Sequence, residues 1–346
     1  MDFAQTLIDW HLRHGRHDLP WQHHKTPYRV WVSEIMLQQT QVATVVGYYE
    51  RFVHRFPDVE TLAAAPIDEV LHLWAGLGYY SRARNLHRAS QIIVQAHRGE
   101  FPGEVEVLAE LPGIGRSTAA AVVSIAFDRR ATILDGNVKR VLARYFAIEG
   151  APNERRVEQE LWQRADGCTP DSQVAIYTQA IMDFGATLCT RHDPLCMHCP
   201  LRKGCKAFAA GRVSDLPTPR KRPNRPTRQV VMLFAVNGRG AVLLQRRPAR
   251  GIWGGLWSPP EFDSAEAATR FCKSELRSEP SHTECMSLVR HAFTHFDLEI
   301  TPLRVSLAGP PLETAGEGAL WYNARNPERI GLPAPIATLL AGMELQ

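Results

Sequence analysis

The sequence predicts a mainly α first domain followed by a smaller α+β second domain. Three observations carry this. Apolar residues recur at helical spacing through the first 190 or so positions. A basic, proline-bearing break in composition follows at 212–228. Beyond it the pattern changes to β-rich runs separated by turn residues. A chain of 346 residues is long for one domain and comfortable for two. The boundaries read this way are 1–211, a linker at 212–228, and 229–346.

In the first domain the helical spacing is plain from Val32 to Val46, Leu86 to Gln95, Ser117 to Ala126 and Val174 to Thr187. Phe56-Pro57, Ala65-Pro66, Phe101-Pro102-Gly103 and Leu111-Pro112-Gly113 punctuate it. The stretch Arg220 to Arg228 has five basic residues, two prolines and no acid. It reads as a semi-rigid, extended spacer, solvated or lying along phosphates. After it, Val230 to Val236 and Ala241 to Arg246 flank Asn237-Gly238, a hairpin signal. A helix is expected from Ala265 to Leu276, a strand from Leu298 to Val305, and a terminal helix from Ile336 to Met343.

Charge and composition exclude several classes. The formal net charge is only +4, so any nucleic-acid surface must come from local clustering of bases. No run of about 18 apolar residues exists, so no transmembrane helix is expected. The start, Met1-Asp2-Phe3-Ala4-Gln5, lacks a basic segment followed by an apolar one, and a cytoplasmic protein is expected. His11, His14, His17, His23 and His24 read as exposed helix and loop residues and not as a metal site.

Cysteine usage is more pointed. Four of the seven cysteines lie in one short stretch, Cys189-x6-Cys196-x2-Cys199-x5-Cys205. In a reducing compartment this pattern favours a metal site over disulfides. Four thiolates hold either zinc or a four-iron cluster, and spacing alone leaves both open.

Leu111-Pro112-Gly113-Ile114-Gly115 joins two helical stretches. Proline stops the first, and the glycines permit positive φ and leave no side chain to block a close approach. Amides at the start of the next helix then suit a phosphate oxygen, although an ordinary helix turn has the same look. Asp135 precedes another helical stretch, where an Asp commonly serves as an N-cap. Glu34 sits among Trp31, Val32, Ile35, Met36 and Leu37. If it faces inward, desolvation favours the neutral acid that general-acid chemistry needs.

These motifs together resemble a known family. The hairpin followed by Asp135, with the cysteine loop, is similar to the helix-hairpin-helix DNA glycosylases. Trp31 to Thr44, His72 to Tyr80, Ser81 to Leu86 and Leu134 to Arg144 closely match the adenine glycosylases of the MutY family, and the likeness extends over both domains. It implies a 4Fe-4S cluster on Cys189, Cys196, Cys199 and Cys205, in a loop presenting Arg191, Arg202, Lys203 and Lys206 to DNA. It implies a monomeric enzyme acting on double-stranded DNA with adenine opposite 8-oxoguanine or guanine, and no membrane partner. Glu34 and Asp135 are the implied catalytic pair. Trp21, Asn137, Gln179 and Ser117 match adenine-pocket or supporting positions, and Gln39 and Tyr79 match residues that wedge into the duplex. Gly113 and Gly115 are the implied DNA-contacting glycines.

An endonuclease III-like glycosylase and lyase is the nearest alternative. The resemblance puts its lysine nucleophile at position 117, where this chain has serine, which forms no Schiff base. Lys139, near Asp135 in sequence, leaves room for weak trapping. A catalytically inactive lesion-binding protein is a second alternative, opposed by the intact Glu34 and Asp135.

Gln245-Arg246-Arg247-Pro248 and Gly251-Ile252-Trp253-Gly254-Gly255-Leu256-Trp257 resemble the Nudix-like domain of the same family. A nucleotide-hydrolysing Nudix domain needs a glutamate-rich box for magnesium. Here only Glu261, Glu266 and Glu275 follow Gly255 before Leu276, so a binding module is expected. The family's Phe-Ser-His motif, which reads 8-oxoguanine, corresponds to Phe293-Thr294-His295, with a strand end as the plainer alternative.

Overall fold

The computed structural model describes residues 2–219, 224–308 and 318–343. The chain forms two compact units: Met1–Ala64 with Asn85–Lys221, and Ala65–Arg84 with Arg222–Gln346. The division differs from a simple cut near 212, because Ala65–Arg84 belongs with the second unit.

The helices run α1 Phe3–His14, α2 Pro27–Leu37, α3 Val42–Arg55, α4 Val59–Ala64, α5 Ile67–Trp74, α6 Ser81–His97, α7 Val105–Ala109, α8 Arg116–Phe127, α9 Gly136–Phe146, α10 Arg155–Cys168, α11 Val174–Thr187 and α12 Lys206–Ala209. α1 starts where the Asp2 carboxylate accepts from the amide of Ala4 at 2.9 Å. α2 starts where Thr26 accepts from Arg29 at 3.2 Å, with Pro27 in its first turn. Trp31, Val32, Ile35 and Met36 bury α2, which packs on α3 and α8. The run Ala119 to Ala121 keeps α8 slim enough for α2 and α11 to approach it.

The apolar spacing from Val32 to Val46 predicts one helix, but α2 and α3 are separate. Gln38 to Gln41 have no apolar side chain to bury, and the backbone turns there, with Gln39 at φ +56°. At the hairpin, Gly113 has φ +78°, and a Cβ on it would stand 2.7 Å from Cβ of Asn85. Glycine is needed there for both reasons. Gly115 is different from expectation: it caps α8 with φ −87°, so only the open space beside it uses the missing side chain.

The expected spacer begins as packed chain. Leu216 is buried, Arg144 Nε donates to the carbonyls of Val213 (3.1 Å) and Leu216 (2.8 Å), and Gly150 N donates to Thr218 Oγ1 at 3.1 Å. Buried backbone polar groups and an apolar anchor hold 213–218 on the first unit. Arg220, Lys221, Arg222 and Pro223, the basic heart of that linker, lie outside the described residues.

The second unit is built on a mixed sheet: β1 Thr227–Val236, β2 Val242–Arg246, β3 Trp257–Ser258, β4 Glu261–Phe262, β5 Pro280–Cys285, β6 Val289–Ala292, β7 Asp297–Leu307 and β8 Ala319–Tyr322. The spine is β3-β2-β1-β7-β5; β4 pairs with β1, β6 with β7 and β8 with β2. β1 and β7 run parallel, from Thr227 opposite Asp297 to Val236 opposite Ser306. The Asn237-Gly238 hairpin forms as expected, with Asn237 Oδ1 accepting from Arg239 and Ala241 at 3.0 Å each. Helix α13, Ala265–Ser274, is capped by Ser264 and puts Ala268 and Cys272 against Leu233, Leu243, Leu303 and Val305. Helix α14 spans Ala334–Met343. Ala65–Arg84 joins through Asp68, which accepts from Arg246 at 2.7 Å, and His72, whose Nδ1 lies 3.1 Å from the Ile330 carbonyl.

Among the described residues, no helix is long and apolar enough to cross a membrane.

Candidate active site and second-unit cavity

A pocket of about 920 Å³ opens in the first unit, among Trp21, Glu34, Gln39, Ser117, Asp135, Asn137 and Gln179. α2 carries Glu34 to its floor. Burial, and then the Asp135 carboxylate, push the Glu34 carboxyl up to about 8.

Asp135 is both an N-cap and a wall of this pocket. Its Oδ1 accepts from the amide of Val138 at 2.8 Å, and its Oδ2 from Asn137 Nδ2 at 3.3 Å. Burial raises its carboxyl above the usual range, opposed by the Val138 amide, the Arg140 charge and Asn137. Ser117 Oγ accepts from the amide of Leu134 at 2.9 Å, holding the backbone beside Asp135. Lys139 is bound elsewhere, to Glu158 at 2.6 Å, and is absent from the pocket lining.

Trp21 is buried and meets Tyr49 edge-on, with ring centres 5.5 Å apart. Asn137 is fixed on two sides: Arg140 Nη2 donates to its Oδ1 at 2.7 Å, and a Cβ on Gly185 would stand 2.7 Å from its own Cβ. Gln39 sits exposed at the rim with φ +56°. Gly113 and Gly115 line neither large pocket; they form the exposed turn before α8.

Two polar lining residues of this pocket, Arg16 and Arg140, escape the sequence reading, as does Asp183, which stands behind Gln179. Helical spacing offers a signal for two of them, since Arg140 follows Asn137 by three residues and Asp183 follows Gln179 by four. The histidine reading also needs correcting. His11 is buried and lies 3.4 Å from Asp183 through Nδ1, because α1 packs that face against α11.

The second unit has its own cavity, of about 870 Å³, among Tyr79, Arg84, Arg247, Trp253, His291 and Thr294. Phe293-Thr294-His295 forms the turn between β6 and β7, closed by Phe293 N to the Phe296 carbonyl at 2.9 Å. Phe293 stacks on Phe296 at 4.8 Å and meets Trp253 at 5.4 Å, while Thr294 is exposed. Tyr79, 46% exposed with φ +48°, reaches Thr294 Oγ1 at 3.1 Å. Glu261 is paired with Arg247 and Arg228, and Glu266 is exposed.

The four loop cysteines line one small pocket with Arg144, Leu188 and Phe208. Burial pushes the Cys199 thiol up to about 12; the other three thiols add to this and a backbone bond from Leu201 opposes it. Arg144 Nη1 lies 3.4 Å from Cys189 Sγ. Among the described residues, no three His, Cys, Asp or Glu side chains form a group that could hold a metal ion. By residue type alone, four thiols lining one small pocket beside the Arg144 guanidinium are the donors that a thiolate-bound cluster takes.

The helical unit that carries the hairpin and the two pocket carboxyls matches a superfamily of DNA repair proteins. The profile of the HhH-GPD superfamily of base excision DNA repair proteins matches residues 32–166, and that of the NUDIX domain matches 231–342. Adenine DNA glycosylase of Buchnera aphidicola from Acyrthosiphon pisum is 37% identical, covering 98% of this chain and 96% of that one. Human adenine DNA glycosylase is 34% identical, over 92% of this chain and 70% of its own. A thermostable thymine-DNA glycosylase superposes with TM-score 0.55 at 28% identity, covering 60% of this chain and 95% of that one. The chain belongs to the adenine DNA glycosylase family.

Proposed function

We propose that the protein is a monofunctional glycosylase that hydrolyses the N-glycosidic bond of adenine opposite 8-oxoguanine or guanine in double-stranded DNA. The observation that carries this reading is a carboxyl pushed up to about 8, Glu34, meeting a second carboxyl, Asp135, in one pocket. A protonated acid at neutral pH beside a carboxylate is the pair that cleavage of a glycosidic bond requires.

Adenine leaves the duplex and enters the pocket, at a cost of about a few kcal/mol. Gln39 and Tyr79 each act as a wedge into the duplex, and amides near Gly113 and Gly115 hold a phosphate. Trp21 offers a face for stacking, and Gln179, Asn137 and Ser117 bound the base and its sugar. Glu34 protonates N7, and the bond to the sugar breaks with the electrons going to the base. Asp135 stabilises the cationic sugar, and Glu34 then takes a proton from the attacking water. Ser117 and the distant pairing of Lys139 argue against a Schiff base and strand cleavage.

Cys189, Cys196, Cys199 and Cys205 would hold one 4Fe-4S cluster. When bound, it supplies a structural cross-link and no redox step. The chain's own Arg191, Arg202, Lys203 and Lys206 then face the phosphates. Thr294 and Tyr79 read 8-oxoguanine from the second cavity, and this unit binds without hydrolysing nucleotides. A cytoplasmic monomer completes the proposal.

A single-turnover assay on duplexes with adenine opposite 8-oxoguanine tests it. Adenine release with strand breaks appearing only after alkali is the expected result. Breaks without alkali mean a lyase, and binding without release means an inactive reader; either overturns the proposal.

A further inference from the structure

Asp183 is fully buried in α11 and accepts hydrogen bonds from Arg16 and Gln179, with His11 close by. Arg16 Nε and its backbone N each donate at 3.0 Å, and Arg16 Nη2 at 2.5 Å. His11 Nδ1 is 3.4 Å away. Gln179 Nε2, one helical turn earlier on the same face, donates to Asp183 Oδ1 at 3.4 Å.

The last bond has a chemical consequence. An ionised carboxylate only accepts, so the side-chain amide of Gln179 must turn its NH2 toward Asp183. Its oxygen is then left to the pocket that Gln179 lines. Among the described residues, that oxygen has no donor. Burial works against ionisation of Asp183, but the nearby His11 ring and the Arg16 bonds and charge outweigh it and hold the carboxyl below its usual range. Adenine carries an exocyclic amine, a donor, where hypoxanthine and guanine carry a carbonyl oxygen, an acceptor.

We infer that Asp183 is a specificity-determining positioning residue, which sets the amide of Gln179 so that the pocket offers an acceptor to the exocyclic amine of adenine. Arg16 and His11 hold Asp183 in place for this task. The inference rests on the proposed adenine glycosylase reading and deepens it. A site built to bind one polar group rejects an analogue carrying the opposite group, since both are left unpaired on burial.

The test compares single-turnover release of adenine and of hypoxanthine, each opposite 8-oxoguanine, by the full-length protein. In Asp183→Asn the neighbouring side chain can donate, the Gln179 amide is free to turn over, and the ratio of adenine to hypoxanthine release should fall on the order of tenfold. Adding Gln179→Glu to that variant restores a fixed acceptor and should restore the ratio. Gln179→Met leaves the Arg16–Asp183–His11 contacts intact, removes the reading amide, and should narrow the ratio as Asp183→Asn does. Equal loss on both bases in Asp183→Asn, or an unchanged ratio in Gln179→Met, overturns the inference while leaving the glycosylase reading standing. A wild-type protein that releases neither base overturns both.

Discussion

Tyr79 Oη lies 3.1 Å from Thr294 Oγ1, though 215 residues separate them in the chain. Both sit in the second unit, because Ala65–Arg84 belongs to it. The residue proposed to wedge the duplex therefore shares a hydrogen bond with the residue proposed to read the lesion. Tyr79→Phe and Thr294→Ala should each lower the preference for 8-oxoguanine over guanine opposite adenine. One hydrogen bond of about 0.5–1.5 kcal/mol makes the effect about threefold to tenfold. Parallel single-turnover assays on the two duplexes measure it. An unchanged preference in Thr294→Ala would return Phe293-Thr294-His295 to the role of a plain hairpin turn.

Glu34→Gln should bind duplex normally and release adenine about 10²- to 10⁴-fold more slowly, since glutamine donates no usable proton. Asp135→Asn should be similarly slow yet folded, because asparagine serves equally as the cap of α9. Near-normal release by Glu34→Gln in a single-turnover assay would remove Glu34 from the mechanism.

The raised Glu34 carboxyl carries a sign for pH. The reaction needs the protonated acid, so the single-turnover rate should fall as pH rises through about 8. Stability follows the same direction. Between the ordinary carboxyl value and about 8 the folded state binds the extra proton, so stability falls as pH rises across that window. Glu34→Gln has no charge to bury. Its melting temperature should exceed that of the wild type at pH 8–9 and approach it near pH 4–5. A melting difference that does not vary with pH would show that Glu34 is not buried as a neutral acid.

Purified protein should be brown and contain iron. Cys199→Ala should lose the visible absorption, melt at lower temperature, and lose DNA affinity before it loses single-turnover rate at saturating enzyme. Colourless wild-type protein with stoichiometric zinc would replace the cluster with a single ion.

Much of the fold was legible along the chain. The helical periods, the Asn237-Gly238 hairpin, α13 and β7 all appear near their expected positions, because each is a local pattern with its own caps and turns. The gaps have a common cause. The break at Gln38 to Gln41 interrupts an apolar spacing that runs on past it, and β3, β4 and β8 are too short to leave a period. Gly115 looked like a second left-handed glycine and is not, since only the backbone reveals its φ of −87°.

The sequence by itself determined the residue types on which the chemistry depends: two carboxyls in helical settings, a glycine hairpin, four spaced thiols, and a second domain without a glutamate box. Each is a matter of local identity and spacing. Only the tertiary structure decided what those groups do to one another. The Glu34 carboxyl rises first because the folded chain buries it and then because the Asp135 carboxylate stands near, and both depend on neighbours supplied by distant segments. His11, with Arg16, became a partner of Asp183 because α1 packs on α11, which no periodicity within α1 announces. Ala65–Arg84 went to the second unit because Asp68, His72 and Arg84 found partners on β2 and the loops at Gly254 and Ile330, and such pairings exist only once the chain has folded.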